Sequence, residues 1–103
     1  MFKNKQGINE IVMYGTTHLY CPLGNDFYTA HATITVSDPK MIPDYCDVSK
    51  FFEGIDGKSL IIEDACKKVL KFIKKQTKDA LSITVTIDVD DARHLPVSVT
   101  ISD

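Results

Sequence analysis

The sequence predicts an α+β fold in which a four-stranded antiparallel β-sheet carries two helices on one face. Two patterns predict it. Apolar side chains alternate with Thr and Ser in several segments, which is typical of strands with one buried face. Between the second and third of these segments, apolar side chains recur at helical spacing. The element order is therefore β-β-α-α-β-β, and residues 1–103 form a single domain.

The first two predicted strands form a hairpin. Residues 8–20 are rich in Ile, Val, Tyr and Thr, and Gly15 marks a bulge or a close approach of another group. Residues 21–25 supply the Pro, Gly and Asn of a chain reversal. Residues 27–37 then alternate, which predicts a strand with one apolar face. That face consists of Tyr28, Ala30, Ala32, Ile34 and Val36.

A short helix follows the proline-containing break at residues 38–43. Either Asp44 or Asp47 can cap it, and it extends to about residue 53, before the glycines of segment 54–57 end it. Its predicted buried side chains are Val48, Phe51 and Phe52.

The main helix is predicted over residues 60–77, with Ser59 as its N-cap. Glu63 falls on the flank of its apolar stripe and in its first turn, where the helix dipole stabilises an anion. The apolar stripe contains Ile62, Cys66, Val69, Phe72 and Ile73, and the opposite side carries Lys67, Lys71, Lys74 and Lys75. These lysines either form an ordinary solvent-exposed face or contact phosphates, for example those of tRNA.

Residues 81–89 and 95–101 are the last two predicted strands, joined by a turn near residues 90–92. Their predicted inward side chains are Leu81, Ile83, Val85, Ile87 and Val89 on the first, and Leu95, Val97, Val99 and Ile101 on the second.

The other face of the sheet consists of small polar residues. They are Thr29, Thr33, Thr35, Ser82, Thr84, Thr86, Ser98 and Thr100. Such a face is either solvated or becomes the lining of a larger barrel, in which several copies of the chain pair their exposed sheet edges. The second interpretation predicts a homo-oligomer.

Composition excludes several functional classes. The chain has 44% hydrophobic and 25% charged residues and a net charge of −2, which gives no general basis for binding nucleic acid or a membrane. No apolar run is long enough to predict a membrane span. Three cysteines without a CxxC motif predict reduced thiols and a cytoplasmic protein.

Cys21 and Glu63 are the principal candidate site residues. Cys21 lies at a strand end beside Pro22, where its thiol can face a cleft, whereas Cys46 and Cys66 are expected in the core. Glu63 either forms a surface pair with a lysine at i+4 or accepts hydrogen bonds from the N–H groups of a base.

No metal or other cofactor is predicted. His18, His31 and His94 could join Cys21 in a zinc site, but His18 and Cys21 are three positions apart on one strand and point to opposite faces.

Three features together resemble the tunnelling fold of pterin- and deazapurine-handling enzymes: the element order, Cys21-Pro22 after the first strand, and Glu63 at the start of the long helix. Within it, the chain resembles the queuosine-pathway nitrile reductase (QueF) family, most closely the QueF-like archaeosine amidinotransferases. The resemblance implies that Cys21 attacks the nitrile of a cyano-deazaguanine to form a thioimide. It also implies that Glu63 holds the guanine-like edge.

The chain departs from the family pattern at several positions. The NADPH motif of the reductases is absent from residues 44–52, so ammonia is the implied co-substrate. The family's catalytic Asp, seven residues after the Cys, is Tyr28 here, which leaves Asp26 or Tyr28 as the proton donor. Ile62 replaces the family's His before the Glu.

Two other tunnelling-fold branches fit less well. The zinc-dependent GTP cyclohydrolases carry paired His after the Cys, where this chain has Gly24 and Asn25. The pterin synthases share features of segment 41–45 and Glu63, but their metal-binding His set is absent.

The resulting hypothesis is a QueF-like enzyme acting on a cyano-deazaguanine that is free or in tRNA or DNA. The alternative is a catalytically reduced tunnelling-fold protein that binds a purine or pterin through Glu63. A third interpretation is a small interaction domain without a ligand.

Overall fold

Six strands and two helices make up the computed structural model, which describes residues 1–78 and 80–103. In chain order they are β1 (Phe2–Lys3), β2 (Glu10–Cys21), β3 (Asp26–Ser37), β4 (Met41–Ile42), α1 (Tyr45–Ile55), α2 (Ile62–Thr77), β5 (Ser82–Val89) and β6 (Val97–Ser102). The main sheet has four antiparallel strands in the order β2-β3-β5-β6. The predicted β-β-α-α-β-β fold is confirmed.

The strands β1 and β4 were not predicted. Each has two residues, and together they form a separate antiparallel sheet. The Asn4 side chain fixes this region, because its amide nitrogen donates to the carbonyl oxygens of Ile8 and Pro39, both at 2.8 Å. Two residues are too few to display an alternating pattern, so the sequence carries no periodic signal for them.

The β2–β3 hairpin has a continuous register from Glu10 opposite Ser37 to Cys21 opposite Asp26. The predicted reversal is confirmed: Asn25 adopts a positive φ of 55°, and its N–H donates to the carbonyl of Cys21 at 2.8 Å. This register places Cys21 and Asp26 on the two strands of the hairpin, next to the turn.

The core lies between the sheet and the two helices. The predicted inward face of β3 is buried, and so are Ile83, Val85, Ile87 and Val89 of β5. Helix α2 contributes Val69 and Ile73. The prediction for Leu81 and Leu95 was wrong. They are 75% and 72% exposed because β5 begins at Ser82 and β6 at Val97, so both leucines lie outside the strands whose side chains alternate into the core.

Gly15 provides a close approach, one of the two roles that the sequence indicated. The register shows no bulge there. A Cβ at this position would lie 2.6 Å from Cε2 of Phe52, closer than any normal contact. The absence of a side chain therefore lets α1 pack on β2.

Gly15→Ala should lower the free energy of unfolding by about 1–3 kcal/mol, because the added methyl group overpacks the contact with the Phe52 ring. Chemical denaturation measures this difference. Gly54→Ala is the matched control, since a Cβ at Gly54 meets no atom within 4 Å. Equal stability of Gly15→Ala and the wild type would show that the Phe52 ring moves away freely.

The start of α2 differs from the prediction. Ser59 is not its N-cap; the cap position is Ile61, whose side chain makes no capping hydrogen bond. Ser59 instead pairs in parallel with Tyr20, whose N–H donates to the Lys58 carbonyl and whose carbonyl accepts from Leu60, both at 2.9 Å. Pairing with the edge of β2 thus outweighs the local capping preference of serine.

Helix α1 is capped by Asp44, which accepts from the N–H of Cys46 at 2.9 Å, so the first of the two predicted caps is correct. The helix continues through Gly54 to Ile55, two residues further than predicted. The prediction that Cys46 is buried was wrong: it is exposed, because the buried face of α1 is formed by Val48, Phe52 and Ile55.

Three chain segments meet at one end of the sheet. The β2–β3 turn lies there, and the antiparallel pairing of β3 with β5 brings the β5–β6 loop to the same end. The bridge between Tyr20 and Ser59 adds the segment that leads into α2.

Strands β2 and β6 form the two edges of the main sheet. Near its end, β2 is covered, because Asp56 accepts from the N–H of His18 at 2.8 Å and residues 58–60 pair with Tyr20. On the face away from the helices, hydroxyl groups of neighbouring strands bond to each other, as in Thr86 with Thr100 at 2.9 Å. In the described residues, neither helix has the length and apolar character needed to cross a membrane.

Candidate functional site

A small cavity of about 50 Å³ lies at the end of the sheet where the three segments meet. Its lining includes Cys21, Asp26, Tyr28, Ile62, Arg93 and His94. The structure thus brings together three of the four predicted site residues, and it adds the Arg93 and His94 side chains from the β5–β6 loop.

Cys21 ends β2 and is half-buried. The N–H of Gly24 donates to its sulfur at 3.4 Å across the hairpin turn. The turn therefore holds the thiol at the cavity while leaving part of it accessible, the combination expected of a reactive cysteine.

The other two cysteines lie outside this cavity. Cys66 is buried in α2 and its thiol donates to the Val99 carbonyl at 3.5 Å. Burial raises the pKa of the Cys66 thiol to about 11, so it stays protonated and unreactive at neutral pH. Cys46 is exposed in the first turn of α1 and is therefore open to modifying reagents.

The Asp26 carboxylate faces the cavity and is held at both oxygens. One oxygen accepts from the N–H of Phe27 and the other from Nε of Arg93, each at 2.9 Å. The Arg93 side chain is 80% exposed, so this ion pair is open to solvent. Asp26 is therefore available for proton transfer only when Arg93 gives way.

Tyr28 lines the cavity, but its hydroxyl group is occupied. It donates to the carbonyl of Leu60 at 2.5 Å, which ties β3 to the segment before α2. Burial raises the pKa of Tyr28 far above its ordinary value, and the negative charges of Cys21 and Glu63 add to this effect. The phenol keeps its proton and acts here as a structural donor.

Glu63 lies in the first turn of α2 and is exposed. Its neighbour Ile62 lines the cavity, whereas Glu63 itself is outside the lining. The carboxylate is thus placed beside the cavity and available to a ligand that extends out of it.

Arg93 and His94 were not predicted as neighbours of Cys21. Neither lies near Cys21 in sequence, which is why spacing alone does not reveal them. The predicted topology does indicate their proximity. Antiparallel pairing of β3 with β5 puts the β2–β3 turn and the β5–β6 loop at the same end of the sheet.

A larger groove of about 490 Å³ lies elsewhere, between β2 and α1. Its polar residues include His18, Glu53 and Asp56, and hydrogen bonds from His18 and Thr17 lower the pKa of Asp56. The groove contains no thiol. Size alone would favour this groove, but the smaller cavity has the nucleophile and the enclosure that covalent chemistry needs.

A metal centre finds no support in the part of the chain that the structure describes. There, no three His, Cys, Asp or Glu side chains are grouped so as to bind an ion. His18 is placed beside Asp56 and His31 beside Thr16, so the three histidines are not gathered around Cys21.

Comparison with known proteins gives a match among solved structures. No protein-family model and no curated protein matches the sequence. Among solved structures, an archaeosine synthase QueF-Like in the apo form matches with a TM-score of 0.83 and 11% identity, over 93% of this chain and 94% of that chain. This chain has the tunnelling fold. The predicted resemblance to QueF-like proteins is therefore confirmed for the fold.

Proposed function

We propose that this tunnelling-fold chain is a QueF-like enzyme that acts on a 7-deazaguanine bearing a nitrile, either free or within tRNA or DNA. The observation that carries the proposal is the cavity at the sheet end, where a half-buried Cys21 faces Asp26. The archaeosine synthase that matches this chain has the same fold, and its name suggests the class of chemistry that we propose.

The proposed reaction has two steps. The Cys21 sulfur adds to the nitrile carbon, one C–N π bond opens, and the thiol proton is balanced by a proton gained at nitrogen, which gives a thioimide. Ammonia then adds to the thioimide carbon and the sulfur leaves with a proton. The products are an amidine and the free thiol, with no oxidation or reduction and no nicotinamide cofactor.

Asp26, rather than Tyr28, is the proton donor that we assign to the nitrile nitrogen. The Tyr28 hydroxyl is bonded to the Leu60 carbonyl, and its raised pKa makes it a poor acid. Asp26 faces the same cavity, and the exposed Arg93 can leave it when a substrate enters.

The cavity accommodates the nitrile group, but not a whole deazaguanine. Ligand sites for small molecules usually enclose about 300–1,000 Å³, against about 50 Å³ here. The rings must extend outward past Glu63, where its carboxylate can accept hydrogen bonds from the guanine-like edge. We therefore propose that a second copy of the chain completes the site, as a homo-oligomer in the cytoplasm.

A base within tRNA would add phosphates to this arrangement. Exposed lysines of α2, among them Lys67, Lys71 and Lys75, offer cationic groups for such contacts.

The alternative function is binding of a purine or pterin through Glu63 without efficient chemistry. The ion pair between Asp26 and Arg93 favours this second candidate, because it withholds the proposed proton donor.

Intact-mass spectrometry tests the proposal. The protein is incubated with the cyano-deazaguanine, and the expected result is an adduct heavier by the whole nitrile compound, formed without loss of atoms. Cys21→Ala should form none, Asp26→Asn should form it slowly, and Tyr28→Phe should form it at nearly the wild-type rate. Binding without an adduct would favour the alternative function.

A further inference from the structure

The proton on the Cys21 thiol has no assigned acceptor in the proposed reaction. The thiolate is the nucleophilic form of cysteine, so a nearby base must take this proton. We propose that His94 is that base, acting through its Nε2 atom on the Cys21 sulfur. Only the role of His94 in the nitrile step rests on the proposed function. The activation of the Cys21 thiol by His94 can be measured without a nitrile.

The cavity itself places the imidazole near the thiol. His94 and Cys21 line the same space of about 50 Å³. A space of this size is large enough to hold water. We therefore take the proton to pass between the two side chains either directly or through water.

The hydrogen bonding of His94 leaves the required nitrogen free. Its Nδ1 lies 2.6 Å from the carbonyl oxygen of Leu95. A carbonyl oxygen only accepts, so Nδ1 carries the proton of the neutral ring. The lone pair is then on Nε2, and the ring has the tautomer of a general base.

The charged groups around His94 are compatible with this role. Arg93 is in the same loop, but its charge is compensated by Asp26 at 2.9 Å. Asp91, also in this loop, accepts from the backbone N–H of Thr29 at 2.9 Å and from its hydroxyl at 2.6 Å. With no substrate bound, the guanidinium in this loop is therefore ion-paired, and the partner of the imidazolium is the Cys21 thiolate.

Charged groups on the packed elements complete these surroundings. Helix α2 brings Glu63 and Asp64 in its first turn. Both are exposed and lie beyond the cavity lining. On β3, the Tyr28 phenol stays protonated and neutral, because burial raises its pKa.

Ile62 occupies the position at which the QueF family has a histidine. The resemblance to the nitrile reductases leads one to expect an imidazole at position 62, where this chain has an apolar side chain that lines the cavity. His94 lines the same cavity from the β5–β6 loop. An imidazole is thus supplied to the thiol by a different segment of the chain.

The proton balance of the nitrile step is then closed. The thiol proton moves to Nε2 of His94, and the sulfur bonds to the nitrile carbon. The His94 imidazolium then gives this proton to the Asp26 carboxylate, which passes it to the nitrile nitrogen. The net change is addition of the S–H bond across one C–N π bond.

Alkylation of the thiols by iodoacetamide tests the pair without any nitrile. Rates at each cysteine are followed by peptide mapping from pH 5 to pH 9 in the wild type and in His94→Gln. His94→Gln should lower the Cys21 rate at pH 7 by about tenfold, because the base that takes the thiol proton is then missing. Free imidazole should restore part of the rate in His94→Gly.

Two internal controls accompany this comparison. His31→Gln, which changes an exposed histidine away from the cavity, should leave the Cys21 rate unchanged. The exposed Cys46 should react equally in all variants, which reports equal exposure to the reagent, and the buried Cys66 should stay unreactive in all of them, which reports an intact fold. An identical pH dependence of Cys21 in the wild type and His94→Gln would overturn the assignment of His94, even where the mass adduct forms. A lost adduct with an intact His94 effect would instead overturn the nitrile chemistry.

Discussion

Proline in place of Tyr14 is expected to dissociate the homo-oligomer that we propose. The backbone N–H groups of His18 and Tyr20 point away from β3, toward Asp56 and Lys58. Because the pattern repeats every two residues, the N–H of Tyr14 points to the same outer edge. Proline removes this donor without breaking a bond between β2 and β3, and it blocks pairing with a strand of a second copy.

Light scattering after size exclusion, at micromolar concentration, measures the effect. Tyr14→Thr is the matched control, since it removes the 79% exposed ring but keeps the N–H, and it should retain the wild-type mass. A monomeric wild type would contradict the proposed assembly. An oligomeric Tyr14→Pro with unchanged mass would show that the β2 edge is not the interface.

Glu63→Gln should weaken binding of a guanine-like ligand by about ten- to a hundredfold, because the glutamine replaces a charged acceptor with a neutral acceptor and a donor that faces N–H groups. The fold should be unaffected, since Glu63 is exposed. Calorimetry with the wild type and the variant measures the difference.

Asp64→Asn is the control for this substitution. Asp64 is also exposed in the first turn of α2. It therefore carries the same charge in the same helix-dipole field as Glu63, but its side chain leaves the helix in a different direction. Its affinity for the ligand should stay near the wild-type value. If Glu63→Gln binds equally well, Glu63 does not hold the guanine-like edge of the ligand.

The long strands were predictable because their alternating side chains face different environments. In β3, Ala32 and Ile34 are buried, whereas Thr33 between them is only partly covered. The errors concern residues whose state depends on distant partners. Ser59 has a strong capping preference, but its segment is fixed by Tyr20, almost forty positions earlier in the chain. No local pattern contains that contact.

The candidate site was predictable to the extent that it is local. Cys21 and Asp26 face one cavity because one hairpin holds both, and the hairpin follows from its turn residues. His94 reaches the same cavity through the pairing of β3 with β5, which is a long-range consequence of sheet order. Glu63 was predicted at the helix start, but its exposure depends on how α2 is seated on the sheet.

Leu60 joins the two halves of the proposed site. Its N–H donates to the Tyr20 carbonyl on β2, and its carbonyl accepts from the Tyr28 hydroxyl on β3. Both strands of the hairpin thus hold the residue that lies three positions before Glu63. A ligand that bridges Cys21 and Glu63 therefore meets a preorganised frame. Little of its binding free energy is lost to ordering the chain, and affinity depends mainly on the contacts themselves.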